Sequence, residues 1–188
     1  MDGSVVVTLT REVLSDTAKL VQHRIRITTA GINLKQNLTE RVSVEDRYTY
    51  KSFSDGNHAN ELQWSTQYAL YLTPRIVIGH RFRLLDFQKQ SGSGYFDPNN
   101  YIANRAFASL YFENRIYWSY VEAYLGYDSY RGYGVVSANF LHGGAGSVGI
   151  KPLQNLSLEI NREGGKFAAG STSGFNSSTV APRILLRF

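Results

Sequence analysis

Two neighbouring stretches decide the fold: Glu61-Leu-Gln-Trp-Ser-Thr-Gln-Tyr-Ala-Leu-Tyr-Leu72 and, after Thr73-Pro74-Arg75, Ile76-Val-Ile-Gly-His-Arg-Phe-Arg-Leu-Leu-Asp-Phe87. Both alternate with period two, the repeat of an extended strand. In the first, Leu62, Trp64, Thr66, Tyr68, Leu70 and Leu72 share one face, and Gln63, Ser65, Gln67, Ala69 and Tyr71 the other. In the second, Ile76, Ile78, His80, Phe82 and Leu84 oppose Val77, Gly79, Arg81, Arg83 and Leu85. Two arginines on one face of an apolar strand are costly in a dry core. They suit a wall with hydrocarbon on one side and a polar interior on the other.

Outward from this hairpin, the same alternation predicts ten strands: 4–14, 22–36, 41–53, 60–72, 75–89, 101–113, 116–129, 134–151, 155–167 and 178–188. Short turns are expected at Asn37–Glu40, Thr73-Pro74, Asn114-Arg115 and Pro152–Asn155. Longer loops are expected at Ser15–Val21, Ser54–Asn60, Gln90–Asn100, Tyr130–Gly134 and Ala168–Ser177. Tight turns on the periplasmic side and longer loops outside are the habit of bacterial membrane barrels. Aromatics gather near segment ends. Tyr71, Tyr111, Phe112, Tyr117, Trp118 and Phe188 lie by the short turns. Tyr48, Tyr50, Phe53, Trp64, Phe87, Tyr101, Tyr127, Tyr130 and Tyr133 lie toward the long loops. Two such belts are expected at the two membrane interfaces. Segment 101–113 has no clean alternation, and 22–36 changes phase near Thr29-Ala30-Gly31, where a bulge is expected.

The chain ends Ala181-Pro-Arg-Ile-Leu-Leu-Arg-Phe188. Ile184, Leu186 and Phe188 point one way, and Arg183, Leu185 and Arg187 the other. This resembles the last strand of bacterial outer-membrane β-barrels. The resemblance implies that Phe188 acts as an assembly signal for the barrel assembly machinery, and that the last strand pairs with 4–14 to close the sheet.

Composition fits this reading. The 188 residues hold no cysteine, 13 Tyr, 10 Phe and 17 Gly, with a mean hydropathy of −0.27. A low mean does not argue against a membrane barrel, because only alternate residues meet lipid. No stretch approaches the ~18 apolar residues of a spanning helix. Met1-Asp2-Gly3-Ser4 has neither the basic start nor the apolar core of a signal peptide, so the chain is read as the mature portion of a longer exported protein. The net charge of +5 invites a nucleic-acid partner. The Lys and Arg are scattered singly through strand-like segments, which argues against one.

Catalytic and metal signatures are weak. His23, His58, His80 and His142 lie in separate segments without metal-ligand spacing, so neither metal nor cofactor is expected. Asp55, His58 and Asp86 are the candidates for a hydrolase at the barrel rim, but Ser54-Asp-Gly-Asn57 reads as a turn. His142-Gly-Gly-Ala-Gly-Ser-Val-Gly149 lacks the Lys-Ser/Thr of a phosphate loop; its glycines leave room for large inward side chains. The expected lumen lining is Arg47, Lys51, Arg81, Arg83, Trp118, Tyr120, Glu122, Tyr124, Arg183 and Arg187, joined by Glu45, Thr49, Gln63, Gln67, Ser137, Asn139 and Glu159. Such a lining fits either a plugged barrel or a channel for a sugar chain.

Gly94-Tyr95-Phe96-Asp97-Pro98-Asn99-Asn100-Tyr101 resembles a Gly-Tyr-Phe-x-Pro motif in the carboxy-terminal barrel of outer-membrane exopolysaccharide export porins of the cellulose and poly-N-acetylglucosamine type. The hairpin Leu38–Gly56 is similar to that group as well. The resemblance implies a passive conduit for a polysaccharide, with no catalytic residues and with periplasmic tetratricopeptide repeats as partners. It marks Tyr95, Phe96, Asp97 and Pro98 as a loop motif. The chain departs from the family in carrying no such repeat and in having fewer strands. The expectation is one transmembrane antiparallel β-barrel over 1–188, in contact with outer-membrane lipid and lipopolysaccharide, that conducts a polymer. The alternatives are a non-conducting anchor or loop-mediated binding barrel, a rim-active hydrolase, and a soluble β-sandwich.

Overall fold

A computed structural model describes residues 2–14, 22, 24–132, 134–153, 156–168 and 173–186. Its described elements are ten strands: β1 (Gly3–Val13), β2 (Arg26–Asn37), β3 (Val42–Phe53), β4 (His58–Leu72), β5 (Arg75–Phe87), β6 (Asn99–Glu113), β7 (Tyr117–Gly132), β8 (Val135–Leu153), β9 (Leu156–Ala168) and β10 (Ser173–Leu186). They form one antiparallel sheet in strict chain order, β1 to β10. Arg187 and Phe188 lie outside the described residues, as does Tyr133.

The connections are less lopsided than the sequence predicts. Turns 38–41, 73–74 and 114–116 are short as expected. Side chains build two of them: Thr39 Oγ1 accepts from the amides of Arg41 (3.1 Å) and Val42 (3.0 Å), and Asn114 Oδ1 from those of Ile116 and Tyr117 (both 2.8 Å). At the other end 88–98 is long as expected. The expected loop at Ser15–Val21 lies outside the described residues; of the expected loop at Ala168–Ser177, residues 168 and 173–177 belong to β9 and β10, while 169–172 lie outside the described residues. The expected loops at Ser54–Asn60 and Tyr130–Gly134 shrink to 54–57 and 133–134, because β4 and β7 run on through polar and glycine positions.

Cross-strand register sorts the side chains onto two faces. One row reads Tyr68–Ile78–Ala108–Ala123, and with it go Val7, Val121, Val148 and Ile184. This face is exposed: Ile78 is 43% and Ile184 68% accessible. The other face carries Arg81 opposite both Ser65 and Arg105, and buries Glu61, Ala69, Val77, Phe107 and Glu122. Charges in and aliphatics out invert the order of a soluble domain. We call the buried face inner.

Several expectations need correction. Phe53, Phe87, Tyr101 and Tyr130 are not outward belt residues, since their parity is that of the inward side chains; the first three are buried, and Tyr130 packs against their cluster. Tyr111 and Trp118 also turn inward and pack together at 6.5 Å. Of the expected belt aromatics, Tyr48, Tyr50, Trp64 and Tyr127 do face outward toward one end, and Tyr71, Phe112 and Tyr117 toward the other. Tyr71 leaves the inner row because a bulge between Ala69 and Tyr71 sets it opposite Ile76. Strand β2 pairs without register shift along its length, so no bulge occurs at Thr29–Gly31.

The sheet ends at β1 and β10, and no pairing joins these edges among the described residues. The expected closure is therefore not seen. Among the described residues the interior packing is concentrated in the middle of the sheet: the main cluster joins Ile27, Phe53, Leu85, Phe87, Tyr101 and Leu141, from β2 to β8. Every residue of β1 is exposed, and β9 and β10 contribute nothing to that cluster among the described residues.

Candidate functional site

The inner face is the candidate site, and two layers of chemistry cross it. At the loop end, segment 88–98 folds over the interior. Tyr95 stacks on Phe53 (centroids 4.5 Å apart, planes 13° apart) and packs against Phe87 at 5.8 Å. Its hydroxyl donates to Asp55 Oδ2 (2.8 Å) and accepts from Asn57 Nδ2 (3.0 Å). Asn57 is wholly buried: its Nδ2 also donates to the Lys89 carbonyl (2.8 Å), and its Oδ1 accepts from the amides of Lys89 and His58. Asp97, equally buried, accepts from the amide (2.5 Å) and hydroxyl (2.9 Å) of Ser91. Phe96 meets Tyr130 and Tyr101 edge to face. Pro98 is buried beside them. Thus all four residues of the loop motif pack at this end of the inner face.

Burial raises the Asp55 carboxyl, but hydrogen bonds from Ser93, Tyr95 and the Asn57 amide outweigh it and leave the group below the ordinary carboxylate range. Burial pushes the Tyr95 phenol up, and the neighbouring Asp55 carboxylate adds to this against the hydrogen bonds from Ser91 and Asn57.

In the middle layer, two carboxylates collect the cations. Glu61 accepts from Lys51 Nζ (2.5 Å), Arg83 Nε (2.6 Å) and Gln63 Nε2 (2.6 Å). Lys51 and Arg83 are its diagonal neighbours on the flanking strands, which is why long side chains meet there. Glu122 takes a two-pronged bond from Arg81 (2.5 and 2.8 Å) across β6 and a third from the Tyr120 hydroxyl (2.6 Å). Arg81 lies over the Phe107 ring, 3.9 Å from its centroid. Arg183 lies 3.6 Å from Glu159 near the β10 edge, more exposed than the central pairs.

Glycines admit the inward rings. A Cβ on Gly79 would fall 2.5 Å from Phe107, one on Gly143 2.5 Å from the Tyr124 hydroxyl, and one on Gly149 2.3 Å from the Trp118 indole nitrogen. In each case the ring covers the glycine directly opposite it on the next strand. The glycine-rich run of β8 thus makes room for side chains, as its composition implied.

Register brings Arg47, Lys51, Arg81, Arg83, Trp118, Tyr120, Glu122, Tyr124 and Arg183 to the one inner face. The sequence reading missed Glu61, Arg105 and Asp128. Glu61 was legible, since it precedes outward Leu62. Arg105 was not, because both faces of β6 mix large and small apolar residues. The three rim-hydrolase candidates have separate partners: Asp55 binds Ser93 and Tyr95, His58 pairs with the Tyr50 hydroxyl, and Asp86 accepts from the Asn100 amide. A hollow of about 760 Å³, lined mainly by apolar atoms, lies on the outward face over Ala106, Ala108 and Ala123, away from this chemistry.

No family model matches the chain, and no curated protein matches it. Among solved structures it is similar to a bacterial polysaccharide outer membrane secretin, with a TM-score of 0.78 and 15% identity over 99% of this chain. The chain spans 65% of the length of that structure. At this identity the likeness establishes the fold: an all-β sheet of the kind that builds an outer-membrane polysaccharide secretin.

Proposed function

We propose that the chain forms the wall of a bacterial outer-membrane conduit that exports a polysaccharide. One observation carries the reading: a sheet of secretin-like fold buries carboxylate–guanidinium pairs on one face and exposes aliphatic side chains on the other. The exposed face suits outer-membrane lipid and lipopolysaccharide, and the polar face suits water and hydroxyl-rich polymer. The reading extends to the functional type of the cellulose and poly-N-acetylglucosamine export porins, with periplasmic repeat domains as partners and the barrel assembly machinery as the route of insertion. In hydrocarbon an open sheet edge leaves backbone groups unsatisfied, so β1 and β10 must each find a strand partner in the membrane.

A second reading, a non-conducting anchor, is favoured by segment 88–98, whose aromatic residues fill the loop end of the interior. Planar-bilayer conductance separates the two. The conduit reading expects steady current that rises when Tyr95→Ala frees the segment. No current from the protein or the variant, both retaining heat-sensitive gel mobility, overturns the conduit and leaves the anchor.

A further inference from the structure

The inner face holds a polar cavity of about 210 Å³ between β3 and β6. Arg47, Arg81, Arg83 and Arg105 line it, against the single carboxylate of Glu45. Arg81 and Arg83 are held by Glu122 and Glu61. Arg105 has no carboxylate within ion-pair distance among the described residues: its guanidinium lies 5.4 Å from the centroid of the Tyr124 ring, and the nearby Glu122 carboxylate, which it influences at longer range, is already taken up by Arg81. Yet Arg105 sits directly opposite Arg81 in register. Like charges in that relation are destabilising unless something negative lies between them. Arg47 is 3.6 Å from Glu45, whose carboxylate already accepts from Asn33 Nδ2 at 2.9 Å.

Ser65 supplies an independent sign. It pairs with Glu45 on one side and Arg81 on the other, lines the same cavity, and its buried hydroxyl has no hydrogen-bond partner. A buried hydroxyl without a partner is destabilising, because it has given up water and gained nothing in return. A facing pair of cations, a guanidinium without a carboxylate and an orphan hydroxyl therefore share one cavity. An oxyanion resolves all three, because guanidinium binds planar oxygens two at a time and Ser65 can donate one bond more.

We propose that this cavity is an anion subsite that takes the carboxylate, sulfate or phosphate carried by a passing sugar, so that the exported polymer is an acidic polysaccharide. The assignment of polymer rests on the conduit reading. The cavity is smaller than the ~300–1,000 Å³ of sites that enclose a whole small molecule, so it receives a pendant group rather than a length of chain.

Calorimetric titration of the full chain in detergent micelles at low salt tests this with three probes: sodium glucuronate, sodium sulfate and glucose. Glucuronate is expected to bind more tightly than sulfate, and glucose not at all. Arg105→Gln should weaken glucuronate about tenfold or more, since a charge-assisted hydrogen bond is lost. Ser65→Ala, a milder change should the first variant fold poorly, should weaken it several-fold. Lys151→Gln at the turn end should leave it unchanged. Binding of glucose equal to glucuronate, or unchanged affinity in both cavity variants, overturns the subsite. Sulfate equal to or tighter than glucuronate overturns the sugar-borne ligand. Conductance without anion binding discards the subsite and keeps the conduit; anion binding without conductance does the reverse.

Discussion

Glu61 and Glu159 are the same residue on the same face of one sheet, and their surroundings differ throughout. Glu61, in the centre, is 5% exposed and accepts from three donors at 2.5–2.6 Å. Glu159, near the edge, is itself covered, at 10% exposed, but it has only Arg183 at 3.6 Å and Asn161 at 3.3 Å, and that arginine is 62% exposed. The central carboxylate holds two cations out of water, whereas the edge carboxylate shares its cation with solvent. Ion pairs of one chemistry thus do different work in the two regions. In the centre both partners are part of the interior packing; at the edge the carboxylate is covered while its cation stays in solvent.

Removing each carboxylate is the sharpest way to break that comparison. Glu61→Ala strands Lys51 and Arg83 in the interior and should cost about 3–5 kcal/mol. Glu159→Ala should cost about 0–1 kcal/mol, since its partner stays hydrated. Denaturant unfolding in micelles measures both. Equal losses would show that the edge is as dry as the centre, as when the strands flanking β1 and β10 complete a tight wall.

The second contrast concerns glycine, again between a packed and an open position. Gly79 has Phe107 laid against it, and an added Cβ would sit 2.5 Å from both that ring and the Thr66 carbonyl. The backbone cannot yield there, so Gly79→Ala should cost about 1–3 kcal/mol. Gly146, on the outward face, has only the Tyr120 carbonyl within reach, at 3.7 Å. Gly146→Ala should fall within about 1 kcal/mol of neutral, on the stabilising side because the unfolded chain loses freedom. A neutral Gly79→Ala would mean that Phe107 moves readily, and with it the Arg81 side chain stacked on it.

The centre and the edges were not equally legible in the sequence. Strict alternation in β4 and β5 gave away both their pairing and the inward direction of Arg81 and Arg83, because one face is aliphatic and the other charged. In β6 the inward Tyr101, Ala103, Arg105 and Phe107 face the same mix as the outward Ile102, Ala106 and Ala108, so period two left no trace. Aromatic position along a strand was read as membrane depth, yet Phe53 and Phe87 turn inward by parity alone and stack beneath Tyr95. That Tyr95 would reach back into the interior depends on Asp55 and Asn57 in another loop. No local pattern encodes such a contact. The open edges were also hidden, since a strand's sequence states which face it buries but not which strand it meets.

The smallest expected effect concerns the loop seal, where the packed centre meets water. Asp55 accepts from Ser93, Tyr95 and the Asn57 amide, and its carboxyl is held below the ordinary range. A group whose folded value is depressed contributes stability above its unfolded value, here the ordinary 3.8, and loses it as pH falls through the folded one. The seal should therefore be constant from neutral pH down to about pH 5 and loosen progressively below about pH 4. Near-ultraviolet circular dichroism reports the Phe53–Tyr95 stack, and protease cleavage within 88–98 reports its release. Asp55→Asn keeps the side-chain shape, removes the titrating charge, and should flatten the acid response while weakening the seal at neutral pH. An acid response that persists in Asp55→Asn would move the titration to another group.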